Sequence, residues 1–201
     1  METAMTIPRR ITRDSLMTLE AYAKARTAMR EEVMAQKKLR RVKLGEHILL
    51  IFENELLIRY QIQEMLRVEK IFEEDGIQHE LESYVPLVPT GSNFKVTMQI
   101  EYAEENQRRE MLGKLKGVED RVWVRVAGFD PVFAIADEDL ERENEQKTSA
   151  VHFLRFELSA GMVAAAKAGA ALSVGVDHPA YTANTGALPE AVRASLASDL
   201  R

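Results

Sequence analysis

Residues 94–102 read FKVTMQIEY. Phe94, Val96, Met98, Ile100 and Tyr102 fall on one side of an extended chain, and Lys95, Thr97, Gln99 and Glu101 on the other. Such alternation is the period-two signature of a strand with one apolar face, the usual member of an antiparallel sheet. Upstream, HILLIFEN (residues 47–54) is a continuous apolar run and reads as a strand buried on both faces. Leu16, Leu19, Ala23, Met29 and Val33 recur near helical spacing through about Lys38, with Asp14 or Thr12 available as a cap, and Gly45 marks a break. Residues 37–43, KKLRRVK, are five-sevenths basic. They read as a helix C-terminus, with cations at the negative end of the dipole, running into a strand, in preference to an anion or RNA site.

Downstream of Gly76, IQHELESYVPL forms a short helix ended by Pro86 and Pro89. AEENQRREMLGKLKG reads as a polar helix closed by Gly117. RVWVRVAGF and PVFAIA are strands joined by a turn at Gly128, Asp130 and Pro131. Residues 137–147, DEDLERENEQK, carry six acids and two bases and read as a solvated linker or exposed helix. SAVHFLRFELS resumes a strand, Ser159 caps an Ala-rich helix, and ALSVGVDHP is a further strand; strand, short helix, strand predicts a right-handed crossover with one parallel pair. A last helix runs from about Leu188 to Leu200, with Pro189 in its first turn. The expected fold is α+β, a single domain over 11–201 after a flexible 1–10, with a mixed, mainly antiparallel sheet of about six strands.

Hydrophobic residues make up 46% and charged residues 29% of the chain, the balance of a soluble globular protein. No apolar run approaches the roughly 20 residues that span a bilayer, and METAMTIPRR lacks the apolar block of a signal peptide. The chain has no cysteine, which removes disulfides, thiolate nucleophiles and cysteine-held metal centres and fits the cytoplasm. A formal charge of -5 disfavours general nucleic-acid binding. These features exclude a membrane protein and a nucleic-acid partner, and they identify no cofactor.

Candidate functional residues concentrate on the second helix, FENELLIRYQIQEMLRVEKIF (52–72). At about 100° per residue, Arg59, Gln63, Arg67 and Lys70 share a solvated arc, while Ile58, Ile62, Met65 and Phe72 oppose them. Glu69 falls among the apolar group, with Gln61 and Glu64 on its flank. A carboxylate there needs a cation, so Glu69 is expected to pair with an Arg or Lys of the first helix or the basic run. The competing role is a ligand or general base. Glu-x-x-His pairs are missing: the residues three before His47, His79, His152 and His178 are Leu44, Gly76, Ser149 and Gly175. His-Glu-x-x-His, a P-loop, a dinucleotide fingerprint and a Gly-x-Ser-x-Gly elbow are missing too.

Two further constellations stand out. Asp177, His178 and Tyr181 follow the end of a strand, where sheet ligands bind, although a lone histidine before Pro179 reads equally as a turn residue. Trp123 lies between Arg121 and Arg125 on one strand face, an interface anchor if uncovered and a core residue if a helix lies over it. His152 shares a face with Leu154 and Phe156 and reads as a satisfied core histidine.

LRRVKLGEHILLIFENELLIRYQIQEMLRVEKI, with SAVHFLRFEL and VDHPAY, resembles an uncharacterised bacterial domain-of-unknown-function family of about two hundred residues, from about Ile11 to the C-terminus. FEN followed by QIQEMLRVE is its most specific part, with Ile58 where the family commonly has threonine. Its pattern coincides with Asn54, Gln61, Glu64, Arg67, Glu69 and His178. Members are often encoded beside rubrerythrin and heterodisulfide-reductase-like iron–sulfur proteins, which implies a role near peroxide defence or iron–sulfur redox chemistry. The leading expectation is a non-catalytic cytoplasmic accessory protein. It would bind a redox or iron–sulfur partner, or a second copy of itself, through Asn54, Gln61, Arg67, Arg121, Trp123, Arg125 or Tyr181. The alternative is a metal-dependent or acid–base enzyme using Glu64 or Glu69 with His178.

Overall fold

In a computed structural model, residues 11–144 and 146–201 are described. The expected flexible segment 1–10 lies outside them. The chain is α+β, with six α-helices and nine strands among the described residues. It forms two compact units, one from residues up to Gln36 with Asn54–Val88, the other from Lys37–Glu53 with Pro89–Arg201.

The first unit is helical. Ser15 closes a short 3-10 turn, its Oγ accepting from the Thr12 amide at 2.9 Å, and Thr18, not Thr12 or Asp14, caps α1 (Leu19–Lys38) by accepting from the Ala21 amide at 3.2 Å. Asn54 opens α2 (Glu55–Val68), its Oδ1 accepting from the Leu57 amide and its Nδ2 donating to Gln36 Oε1, both at 2.9 Å. The helix stops at Val68, and Lys70 adopts φ 55° just beyond it. Ile58, Ile62 and Leu66 pack with Ile11, Leu16 and two residues of α3 (Glu74–Tyr84), Ile77 and Leu81. Tyr60 packs separately with Tyr22 and Val33 of α1.

Because α2 buries two faces, the single solvated arc expected for it does not exist. Gln63, placed on that arc by periodicity, is 1% exposed; its Oε1 accepts from the Met17 amide at 2.7 Å. Arg59 donates to the Ser15 carbonyl at 2.7 Å. Both side chains satisfy the backbone of the segment leading into α1, which has no helical or sheet partner of its own. Conversely Phe72, expected on the apolar side, is 70% exposed, because the helix has already ended.

The second unit is two antiparallel sheets around one core. The first sheet runs β1 (Arg41–Leu44), β2 (Ile48–Phe52), β3 (Asn93–Ile100), β7 (Val151–Glu157), β6 (Ile135–Ala136). The second runs β5 (Val132–Phe133), β4 (Val122–Val126), β8 (Leu172–His178), β9 (Tyr181–Ala187). Phe94, Val96, Met98 and Ile100 point into the apolar cluster as their alternation predicts, and β2 is buried along almost its whole length. Val122, Val124, Val126, Val174 and Val176 of the second sheet join the same cluster, as does Leu112 of α4 (Glu105–Lys114).

The expected parallel pair is overturned. Every strand pair is antiparallel, and β7 and β8 lie in different sheets, so α5 (Ala160–Lys167) carries the chain from one sheet to the other. Its Val163 and Ala166 enter the shared core, and Ser159 caps it as predicted. The ninth strand, YTANTGA, was not foreseen; it is polar and largely exposed, and its pairing with β8 is interrupted by a bulge. The last helix, α6 (Glu190–Ala197), is shorter than expected. Arg40, 1% exposed, ties this unit together by donating to the carbonyls of Phe52, Glu53 and Ser195 and by pairing with Asp199.

Candidate functional site

Two clusters of buried or half-buried charge stand out, one in each unit. In the first, Glu64 accepts from the Tyr22 hydroxyl at 2.7 Å and from Arg26 at 2.7 and 2.9 Å, with Arg67 at 3.3 Å. The fork of Arg26 on both carboxylate oxygens holds Glu64 down at about 2 against the opposing pull of burial, aided by Tyr22 and Arg67. Burial, then the bond to Glu64, pushes the Tyr22 hydroxyl up. The pairing with the first helix expected for Glu69 is thus made by Glu64. Glu69 itself is exposed, the C-cap of α2, and its expected burial is overturned. Gln61 is half-buried and Arg67 exposed.

The second cluster is built from Glu119, Asp137, Thr148 and His152. His152 sits on the inward face of β7 and is fully buried. Its Nδ1 is 2.6 Å from Asp137 Oδ2, and its Nε2 is 3.0 Å from both the Thr148 hydroxyl and the Ser149 carbonyl. Glu119, in the 3-10 turn ahead of β4, brings Oε2 to 3.9 Å from Nε2 and 3.4 Å from the Thr148 hydroxyl. Burial pushes the Glu119 carboxyl up. Asp137, directly after β6 and at φ 48°, also accepts from the Phe153 amide at 2.9 Å and from Arg142 at 3.2 Å. One ligand atom from each of Glu119, Asp137 and His152 lies within 4.8 Å of the others.

The histidine was visible in the sequence as an inward-facing residue, but its partners were not. Asp137 and Arg142 come from the acidic stretch 137–147, which forms no helix and is more than a solvated linker: Arg142 stacks over Phe153 at 4.6 Å, and Glu143 accepts from the Gly117 amide at 2.8 Å. The available signal was the need of a buried imidazole for two hydrogen-bond partners.

His178 is used in a turn. With the Lys116 carbonyl accepting from Nε2 at 2.9 Å and Nδ1 accepting from the Ala180 amide at 3.1 Å, both ring nitrogens are occupied. Tyr181 donates to the Leu44 carbonyl at 2.6 Å and accepts from the His47 amide at 3.0 Å, clamping β9 to the β1–β2 turn. The partners of Glu64 lie in the first unit and those of His178 in the second.

Trp123 is 8% exposed and packed flat over Gly175, where a Cβ would come within 2.1 Å of the ring. Its Nε1 donates to Asp177 at 2.9 Å, Arg121 donates to the Asp177 carbonyl, and the Arg125 guanidinium lies 5.3 Å from the ring centroid. Beside it runs an open depression of about 370 Å³ lined by Arg125, Leu172, Ser173, Asn184 and Gly186 among others. On the neighbouring edge strand, Phe133 pairs in register with Trp123 and is 44% exposed.

Among the described residues no helix is long and apolar enough to cross a membrane. No curated protein matches the chain. A crystal structure of a novel protein of unknown function from Burkholderia pseudomallei K96243 is similar at 60% identity and a TM-score of 0.90, covering 95% of this chain and 99% of that one. The model of the family described as Protein of unknown function (DUF3501) matches residues 10–200, and the chain belongs to that family.

Proposed function

We propose that residues 11–201 act as one domain of a non-catalytic binding protein, which presents the outer face of its second sheet to a partner. The observation that carries this reading is the exposed pair Arg125 and Phe133, held beside the buried Trp123 at the edge of an open depression. Side chains already held in place lose little entropy on binding, and aromatic residues and Arg are enriched at interfaces. The resemblance to a family encoded beside redox proteins points to a redox or iron–sulfur protein as the partner, with the cytoplasm as the meeting place.

The test is affinity capture from cells of the source organism with wild type and the Phe133→Ser and Arg125→Glu variants. Both positions are exposed, so neither change disturbs the core. The expected result is a redox or iron–sulfur protein retained by wild type and lost by at least one variant. Retention of the same proteins by all three baits, or of none of that class, sinks the reading. Sedimentation of the purified chain separates a second copy from a foreign partner, since a dimer through this face dissociates in Phe133→Ser. An enzyme on Glu64, Glu69 and His178 has no such support. The residues that could hold a metal ion are a different group, Glu119, Asp137 and His152.

A further inference from the structure

We propose that the second unit binds one divalent first-row transition-metal ion between His152 Nε2 and Glu119, with Asp137 holding the imidazole from its other side. This goes beyond the docking surface and stands independently of it.

The groups that face Nε2 are all oxygens. In the tautomer that a metal selects, the ring hydrogen sits on Nδ1 against Asp137, 2.6 Å away, and Nε2 turns a lone pair toward its surroundings. Those surroundings are the Ser149 carbonyl at 3.0 Å, the Glu119 carboxylate at 3.9 Å and the Thr148 hydroxyl at 3.0 Å. One hydroxyl hydrogen is then shared among several acceptors, and Thr148 is 1% exposed, so water reaches them poorly. A metal cation satisfies them at once; without one, a second proton on the ring does so.

The spacing fits such an ion. First-row metals hold imidazole nitrogen and carboxylate oxygen at about 2.0–2.2 Å, so two ligands of one tetrahedral ion stand about 3.4 Å apart and opposed ligands roughly 4.2 Å. Nε2 and Glu119 Oε2, at 3.9 Å, fall between the two, so a small movement of the Glu119 side chain brings them to tetrahedral spacing. The Asp137–His152 bond is the carboxylate–imidazole arrangement that orients a ligating histidine and raises its basicity.

Charge points the same way. Two carboxylates converge on the imidazole, and the nearby Arg142 approaches Asp137 on the oxygen away from His152 while dividing its Nη1 among Asp137, Asp139 and the Leu140 carbonyl. Glu119 faces the His152 ring at 3.9 Å, an ion pair only when that ring is protonated. A nitrogen and oxygen donor set without sulfur suits zinc, manganese or iron(II) in preference to soft ions.

The test is titration of dialysed, folded full-length protein with Zn²⁺ and with Mn²⁺ by calorimetry, alongside metal content after purification by mass spectrometry. The expected result is one equivalent of at least one ion, with a raised unfolding temperature. Affinity should fall by at least roughly 100-fold in Glu119→Gln and His152→Gln, and about 10–100-fold in Asp137→Asn. Glu64→Gln and His178→Gln should bind as wild type does. If the His152 variant fails to fold, the near-isosteric Glu119→Gln decides. Co²⁺ added to wild type gives a further readout, a visible spectrum of nitrogen and oxygen ligation. Absence of saturable binding to wild type, or binding unchanged in Glu119→Gln, overturns the proposal and leaves the cluster a hydrogen-bonded core network.

Discussion

Glu64 and Glu119 are both acidic residues drawn in among apolar neighbours, and their surroundings differ in sign. Glu64 meets two guanidinium groups and a phenol, more donor capacity than one carboxylate needs, and its ionised form is strongly favoured. Glu119 meets an imidazole already committed to Asp137, a hydroxyl and a second carboxylate nearby, and its ionised form is disfavoured. The first cluster is closed: every acceptor has a donor, and nothing remains for a ligand. The second sets two carboxylates about one imidazole, with Arg142 on the far oxygen of Asp137 alone. Burial of an acid therefore says little about function; the balance of donors around it says more.

That contrast can be broken most severely at Glu64. Glu64→Ala strips the buried Tyr22 hydroxyl of its acceptor, which should cost about 1–3 kcal/mol in urea unfolding, whether or not metal is present. A smaller loss would mean that water or another acceptor replaces the carboxylate.

Acid provides a gentler version of the same change. The carboxyl of Glu64 lies near 4.5 in the unfolded chain and about 2 in the folded protein, so its contribution is complete above pH 4.5 and is lost as pH falls toward 2. The stability of Glu64→Gln should consequently decline less steeply than that of wild type across this window. Parallel acid limbs would show that Glu64 titrates normally.

Glu119→Gln should have the smallest effect and the opposite tendency. In metal-free protein at neutral pH it removes a charge that burial disfavours, so stability is expected to stay within roughly 0.5 kcal/mol of wild type or to rise. With the ion bound, wild type gains stability and the variant does not, which separates the two carboxylates in one melting experiment.

Much of the fold was legible because local pattern and burial agree. FKVTMQIEY alternates and is buried on alternate residues, ILLIF is apolar throughout and buried on both faces, and Ser159 caps the helix it precedes. What failed were inferences that needed a third dimension. The crossover after β7 was read from element order, but order does not say that α5 bridges two sheets. The exposed β9 carries no apolar period to betray it. On α2 the helical wheel assumed one buried face and four extra residues; two buried faces and an end at Val68 moved Gln63 inward and Glu69 outward. The second cluster was the least legible part, since Glu119, Asp137 and His152 lie on three separate elements. Asp137 also belongs to a charge-rich stretch whose composition argues for solvent exposure.

Arg40 carries a consequence in time as well as in space. Its guanidinium is buried between the β2 strand end and the last helix, and its carboxylate partner, Asp199, follows 159 residues later. At ~5–20 residues per second, a ribosome needs roughly 8 to 30 seconds to make that stretch. Throughout that interval the arginine can reach the Phe52 and Glu53 carbonyls but not Ser195 or Asp199, so water is expected to hold the rest of its guanidinium. The helical unit, whose residues are all present by Val88, faces no such delay. The nascent chain is therefore expected to emerge half-finished, with its sheets latched only when the final helix arrives.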